Sequence, residues 1–533
     1  MGTCKWVRGD SPTGGLPMKI ANSLCHYTST TSRAHCRCPY CELQIRPLLR
    51  LVGNPFSHRT APSAMMGLVA HNRFLQTQRK NTIAHGERRS ANRTKWATAE
   101  PPATRGPVIN EPVEKLSVND QIWGCAQGLT PVFSEIDRLV ADNVRKVQKA
   151  FRDHRVGPHH FQGSTGYGHG DLGREALDSV MAQVMGAEAA LMRVQFVSGT
   201  HAIASALYAV LRPGDEMLAI AGHPYDTMEE VIGTRGTPGH GSLMEWGVSY
   251  RELALRGDGR IDWDALKTAI VPGKTRVAHI QRSCGYALRP TLSIDDIGRA
   301  VEIIKAQDPN VVITVDNCYG EFTDTREPCD VGADLVMGSL IKNPGGTIAP
   351  GGGYVAGRAD LIGRVAARLY APGIGIDAGG VPGSTLRIFF QGLFLAPQTT
   401  GEALKGGRLV AELLHREGFT VIPAPGVPDV WSMITAVELR SRERMMAFCR
   451  GIQRTCPIGS YISPEPGVTA GYGDEVIFAD GTFIDGSTAE LSADGPIREP
   501  YVVYCQGGTH WTHWALALEG AITSVREAVA RDN

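Results

Sequence analysis

Between residues 174 and 342, short apolar runs alternate with helical stretches, and this order limits the fold more than any other feature of the chain. "EMLAIAG" (216–222), "RVAHIQRS" (276–283), "VVITVDN" (311–317) and "DLVMGSLIK" (334–342) read as strands. "REALDSVMAQVMG" (174–186), "THAIASALYAVL" (200–211) and "IDDIGRAVEIIKAQ" (294–307) read as helices. The strand runs are short and apolar, so both faces of their sheet must be covered, and helical connections imply a largely parallel sheet. Ahead of this body, "SEIDRLVADNVRKVQKAFRDH" (134–154) is an amphipathic helix with Ile136, Leu139, Val140, Val144, Val147 and Phe151 at helical spacing. After it, "TTGEALKGGRLVAELLHREGF" (399–419) is a helix that opens a smaller C-terminal α+β region. A chain of 533 residues exceeds what one hydrophobic core organises. The expected organisation is a leader over 1–100, a linker and helical arm over 101–155, a large α/β domain over 156–390 and a small domain over 391–533.

In such a sheet, ligands gather at the carboxyl ends of the strands. Ser198, Gly199 and Thr200 precede a helix, where free amides and the helix dipole favour an anion such as phosphate; an ordinary N-cap uses the same residues. Asp316 ends a buried strand and needs a cation, a metal or a protonated ring nitrogen as partner, unless it caps a helix. Lys342 follows the next strand, three residues after Ser339 and ahead of a glycine run. In a closed pocket such an amine can shed its proton and act as a nucleophile; a solvent-facing lysine is the alternative for that residue taken alone. In this order the phosphate turn, the aspartate and the lysine suit pyridoxal 5'-phosphate (PLP). The lysine forms a Schiff base with the cofactor, the aspartate keeps the pyridine nitrogen protonated, and the helix start holds the phosphate.

The arrangement Ser-x-x-Lys after Val-Asp-Asn resembles the aspartate-aminotransferase-like superfamily of fold type I. "FQGSTGYGHGDLGRE", "FVSGTHAIASALYAVLRPGDE", "HPYDTMEEVIG", "VDNCYGEF" and "KNPGGTIAP" are similar to the cystathionine beta-lyase/methionine gamma-lyase-related family often labelled aluminium resistance proteins. The resemblance spans residues 115–525 and implies an α/β, fold type I PLP-dependent transferase with a large, mostly parallel sheet domain and a smaller C-terminal α+β domain. It implies Lys342 as the Schiff-base lysine, Asp316 on the pyridine nitrogen, Ser339 with the Gly199 and Thr200 amides on the phosphate, and Tyr225 stacked on the ring. Lys342 and Tyr225 would be catalytic. By analogy with a Tyr-x-Arg motif of related lyases, Tyr167 and His169 of "YGH" would reach a neighbouring subunit's cofactor, giving a homodimer or homotetramer with shared sites. "IQRSCGY" departs from the pattern, with Cys284 where an arginine is expected. The implied activity is carbon–sulfur lysis of a sulfur amino acid of the cystathionine, methionine or cysteine type by β- or γ-elimination. The substrate carboxylate calls for an arginine, and Arg498 in "GPIREPY" and Arg387 in "GSTLRIFF" are the candidates. Cofactor residues do not define the leaving group, so transamination, C–C cleavage or an inactive stress or metal-tolerance protein remain alternatives.

The formal charge of zero hides an asymmetry. Residues 1–99 hold 15 Lys/Arg and 3 Asp/Glu, leaving 54 − 15 = 39 basic and 54 − 3 = 51 acidic residues beyond them. A basic, Ser- and Arg-rich leader without a secretory apolar core has the composition of an organelle transit peptide, chloroplast before mitochondrion. Its His35, Cys36, Cys38 and Cys41 lack the foldable module that a structural zinc site needs, so no metal is expected. No run approaches the ~18 apolar residues of a membrane span, and the expected partner is a small amino acid, with neither nucleic acid nor membrane.

Overall fold

The computed structural model describes residues 116–427 and 430–532, all within the compact unit Arg105–Asn533. The leader, with its targeting composition and its cysteines, lies outside the described residues. Helices α1 (Val118–Gly128), α2 (Thr130–Asp153) and α3 (Leu172–Val184) come first. Strands and helices then alternate through β1 (Ala189–Arg193), α4 (Gly199–Val210), β2 (Glu216–Ala219), α5 (Asp226–Ile232), β3 (Ser249–Glu252), α6 (Trp263–Leu266), β4 (Thr275–Gln281), α7 (Ile294–Gln307), β5 (Val312–Asp316), β6 (Leu335–Ser339), β7 (Gly353–Gly357) and α8 (Ala359–Leu369). Several helices start where a side chain can accept from the first free amides. Ser198 caps α4 through the His201 amide at 3.1 Å, and Ser293 with Asp296 forms a capping box on α7.

The first sheet has the order β1-β7-β6-β5-β4-β2-β3. Every pair from β6 to β3 is parallel, as the apolar strand runs predict. Successive strand residues feed two different cores. Val312, Met217, Val277 and Leu335 join the cluster under α4, α5 and α8, whereas Ile313, Leu218, Ala278 and Val336 join the one under α3, α7 and α9. This two-sided burial explains why the strands carry no polar alternation. β1 and β7 are additions that the sequence does not announce: β7, lodged between β1 and β6, runs antiparallel to both, and β1 runs with the parallel strands. "GGGYVAG" reads as a loop because it is rich in glycine. Yet a Cβ on Gly353 would come within 3.0 Å of the Ala202 Cβ and 3.1 Å of the Phe196 Cβ, so close packing on α4 requires glycine in this strand.

Helix α9 (Gly383–Arg416) starts well before the expected residue 399 and contains Pro397, which reads as a break in the sequence. Its first half buries Leu386, Phe389, Phe390 and Leu393 in the large-sheet core; its second half buries Leu409, Val410, Leu413 and Leu414 in another. That second core lies under β8 (Thr420–Ile422), β9 (Ile434–Glu438), α10 (Arg442–Gln453), β10 (Val476–Ala479), β11 (Ser492–Pro496), β12 (Val502–Gln506) and α11 (Trp511–Asp532). The strands form an antiparallel sheet in the order β10-β11-β12-β9-β8. The boundary expected at residue 390 falls inside α9, so one helix serves both layers.

Just past Lys342, a 3-10 turn (Asn343–Gly345) presses on α9 so closely that a Cβ on Gly392 would overlap the Gly345 carbonyl. Gly392→Ala should therefore cost about 1–3 kcal/mol through overpacking. Gly363→Ala, in the exposed face of α8 with nothing within 4 Å of the new methyl, should be stabilising by about 0.5–1 kcal/mol. Thermal denaturation of the two variants checks this; equal midpoints would show that the α9 contact is not tight.

Candidate active site

β5 and β6 run side by side, with Asp316 opposite Met337, so their carboxyl ends present Asp316 and Ser339 on one edge. Both are buried, and the Asp316 Oδ1 accepts the Cys318 amide at 3.1 Å. The chain after Asp316 turns back sharply. Tyr319 takes a φ of 71°, a left-handed conformation uncommon for a bulky residue, and its ring lies 4.1 Å from the Lys342 Nζ. The Thr488 hydroxyl, from the C-terminal layer, donates to the Tyr319 Oη at 3.0 Å. Across the edge, Gly199 sits so near Ser339 that its missing Cβ would lie 2.8 Å from the Ser339 Cβ. The first amides of α4 and the Ser339 side chain thus share one small region, which suits an anion. Thr200 Oγ1 is 3.1 Å from the Tyr225 Oη, and the Tyr225 amide donates to the Gln281 Oε1 at 2.7 Å.

A cavity of 210 Å³ opens beside these groups. Tyr225, Asp316, Tyr319 and Lys342 line it from the large-sheet side, and Asp494 and Gln506 from β11 and β12. Burial works against a charged Lys342, whereas the Asp316 carboxylate favours the ammonium, and the amine is shifted above the usual lysine range. Burial pushes the Asp316 carboxyl up, with Lys342 opposing it. Burial also pushes the Tyr225 phenol up, so it stays neutral.

PLP fits these residues. The site offers one amine, one buried carboxylate at a strand end and a cradle that a Cβ at Gly199 would fill. The remaining expected residues fall elsewhere. Tyr167 and His169 are exposed, with their rings stacked 5.5 Å apart, on a loop outside the cavity lining. That loop is ordered by its own chain: Arg174 donates to the Gly168 carbonyl at 2.6 Å, and His169 Nδ1 lies 2.7 Å from the Asp377 carbonyl. Arg498 stands beside the cavity, paired with Asp474 at 2.9 Å and donating to the Tyr286 carbonyl at 3.4 Å. Arg387 is exposed on α9 and is not among the lining residues. Cys284 packs against Ile434, Ala436 and Tyr504, its thiol pushed up to about 11 by burial. An arginine does reach this neighbourhood: Arg289, buried, donates to the Gln281 carbonyl at 2.8 Å. Sequence reading gives no role to Tyr319, Tyr286, Asp494 or Gln506. Among the described residues, no group of three or more His, Cys, Asp or Glu could hold a metal, and no helix is long and apolar enough to cross a membrane.

The model of the methionine gamma-lyase family matches residues 118–526, and the chain belongs to that family. An uncharacterised Bacillus subtilis protein is 47% identical over 396 residues, covering 74% of this chain and 93% of its own. A Clostridium novyi crystal structure described as a carbon-sulfur lyase involved in aluminium resistance is 42% identical, with a TM-score of 0.72 over 76% of this chain and 96% of that one. A Listeria monocytogenes structure, described as a candidate cystathionine beta-lyase involved in aluminium resistance, is 42% identical, with a TM-score of 0.73 over 76% of this chain and 99% of that one. These matches bear out fold type I, PLP dependence and an enzyme of the carbon–sulfur lyase class. They also correct the organelle destination expected from the leader: the relatives are bacterial, from cells without chloroplasts or mitochondria, and the family match starts at residue 118.

Gly199→Ala tests the cradle. The new methyl must displace Ser339, so PLP affinity should fall by about tenfold or more, the equivalent of ~1.4 kcal/mol. Absorbance titration of the apoprotein with PLP reads this; unchanged affinity would place the phosphate elsewhere.

Proposed function

We propose that this member of the methionine gamma-lyase family releases a thiol from Cβ or Cγ of a sulfur amino acid. The observation that carries the reading is the position of the half-buried Lys342, its amine against the Tyr319 ring on the strand edge that also carries Asp316 and Ser339. Lys342 would hold the cofactor covalently, Asp316 its pyridine nitrogen, Tyr225 its ring face, and Ser339 with the Gly199 and Thr200 amides its phosphate. When bound, PLP draws electrons from the substrate's Cα and so makes the Cα proton removable.

Lys342 Nζ takes that proton once substrate has freed it. Tyr319 keeps the amine over the cavity, because the ring face attracts the ammonium and the Thr488 bond fixes the phenol. Arg498 is the better placed of the two arginines for the substrate carboxylate, since it already reaches the Tyr286 carbonyl at the cavity wall. To bind substrate it must exchange Asp474, an exposed partner whose loss costs little. Tyr167 and His169, exposed on a loop fixed by Arg174, suit contact with a second copy's phosphate. This supports a homodimer or homotetramer with shared sites. The overall balance is cleavage of one C–S bond with addition of water, giving a thiol, ammonium and a 2-oxo acid.

Lys342→Ala should abolish turnover yet retain weak PLP binding, because the phosphate cradle and Asp316 survive. A panel of cystathionine, methionine, cysteine and homocysteine, scored for pyruvate against 2-oxobutyrate, separates β- from γ-elimination. Wild-type turnover in the Lys342→Ala protein, or a holoenzyme that releases neither oxo acid from any of the four, would sink the lyase reading.

A further inference from the structure

The wall that β11 and β12 contribute to the cavity has a different chemistry from the cofactor side. Ser492 pairs with Gln506 and Asp494 with Tyr504 across the two strands. Ala493 and Cys505 point into the small-layer core, and Ser492, Asp494 and Gln506 line the cavity. Asp494 is 1% exposed, and each of its hydrogen-bond donors is neutral. Tyr286 Oη donates at 2.7 Å, Gln506 Nε2 lies 2.9 Å from both carboxylate oxygens, and the Ser492 hydroxyl completes the set. Gln506, 3% exposed, turns its amide N–H toward the carboxylate, which leaves its Oε1 buried with no partner. The Asp480 carboxylate lines the same cavity and acts on Asp494 electrostatically.

A buried carboxylate with neutral hydrogen-bond donors has as counter-charge in this cavity the Lys342 amine, which the cofactor would take up, and a buried amide oxygen without a donor is costly. A ligand that carries both a positive charge and N–H donors relieves both. A primary ammonium has three donors to offer Asp494, Asp480 and the Gln506 oxygen. The substrate's α-amino group is committed to the cofactor, so the ammonium must lie on the part of the substrate that leaves. We propose that Asp494 and the Gln506 Oε1 select sulfur amino acids whose departing thiol carries a primary amine, over those with an uncharged alkyl thiol. The inference rests on the carbon–sulfur lyase reading and adds its specificity.

Two nearly isosteric substrates test it: S-(2-aminoethyl)-L-cysteine and S-propyl-L-cysteine, with the homocysteine counterparts in case elimination is at Cγ. Holoenzyme should favour the aminated member by tenfold or more in kcat/KM, and Asp494→Asn should reduce that ratio to threefold or less. A binding arm does not depend on turnover. Spectral titration of PLP-loaded Lys342→Ala protein should show the aminated analogue binding at least tenfold more tightly, and adding Asp494→Asn should remove the difference. Gln506→Leu, which deletes the free acceptor, should lower the ratio in the same direction if the Asp494 variant does not fold. A wild-type ratio below threefold in both arms, or a ratio unaffected by these substitutions, overturns the proposal. Binding discrimination without elimination of either analogue would sink the lyase reading and leave the ammonium site standing.

Discussion

A guanidinium with no access to water lies beneath the strand edge that carries the site. Arg282 is 0% exposed, and it donates to the Leu292 and Gly320 carbonyls, the Asn317 Oδ1 and the Thr323 hydroxyl at 2.7–3.2 Å. Such a charge is tolerable only if its donors are engaged, so the loop after β5 must bring its oxygens to this one point. Glu327 secures the other side of the loop by accepting from the Asn317 side chain and the Phe322 amide, each at 3.1 Å. Gly320 cannot be larger, because a Cβ there would come within 2.6 Å of the arginine. Tyr319 and Phe322 pass through positive φ to meet these demands, and the turn that results sets the Tyr319 ring beneath Lys342. The geometry of the amine is thus decided several residues away, by the solvation of a single cation.

This explains which parts were legible in the sequence. Asp316, Ser339 and Lys342 announce themselves because a sheet with covered faces leaves polar side chains only at its strand ends. Tyr319 does not, since nothing in "VDNCYGEF" says that the tyrosine bends back; that depends on Arg282, which is 37 residues earlier (319 − 282). Asp494 and Gln506 are hidden for a different reason. In "LSADG" the alternation of apolar and polar residues is the signature of a half-buried antiparallel sheet whose polar face reads as solvent-facing, and in "VVYCQ" the glutamine reads as the polar end of an apolar run. Only the packing of the second sheet against the first turns that face into a cavity wall. β7 and the early start of α9 were unreadable because glycine stands where close packing, not a loop, is the cause, and proline stands inside a helix that runs through it.

The two sheets divide the work by their hydrogen-bonding style. The parallel sheet gathers its strand ends at one edge, where a helix N-terminus and two buried polar residues can hold a cofactor. The antiparallel sheet offers a flat face whose alternate side chains can be exchanged without disturbing the core behind them, as Ser492, Asp494 and Gln506 show against Ala493 and Cys505. Substrate choice can therefore drift while the cofactor chemistry stays fixed.

The place of β7 has a consequence for how the chain is made. Ala189 of β1 pairs with Gly357 of β7, and β1 touches no other strand of its sheet. A ribosome adding ~5–20 residues per second needs on the order of 10–30 s to deliver the partner after β1 emerges. Throughout that interval an apolar strand has both edges open, the condition that invites pairing with a foreign strand. Nascent chains of this fold are hence most vulnerable during the middle third of synthesis, and a pause that lengthens it harms yield more than one near either end.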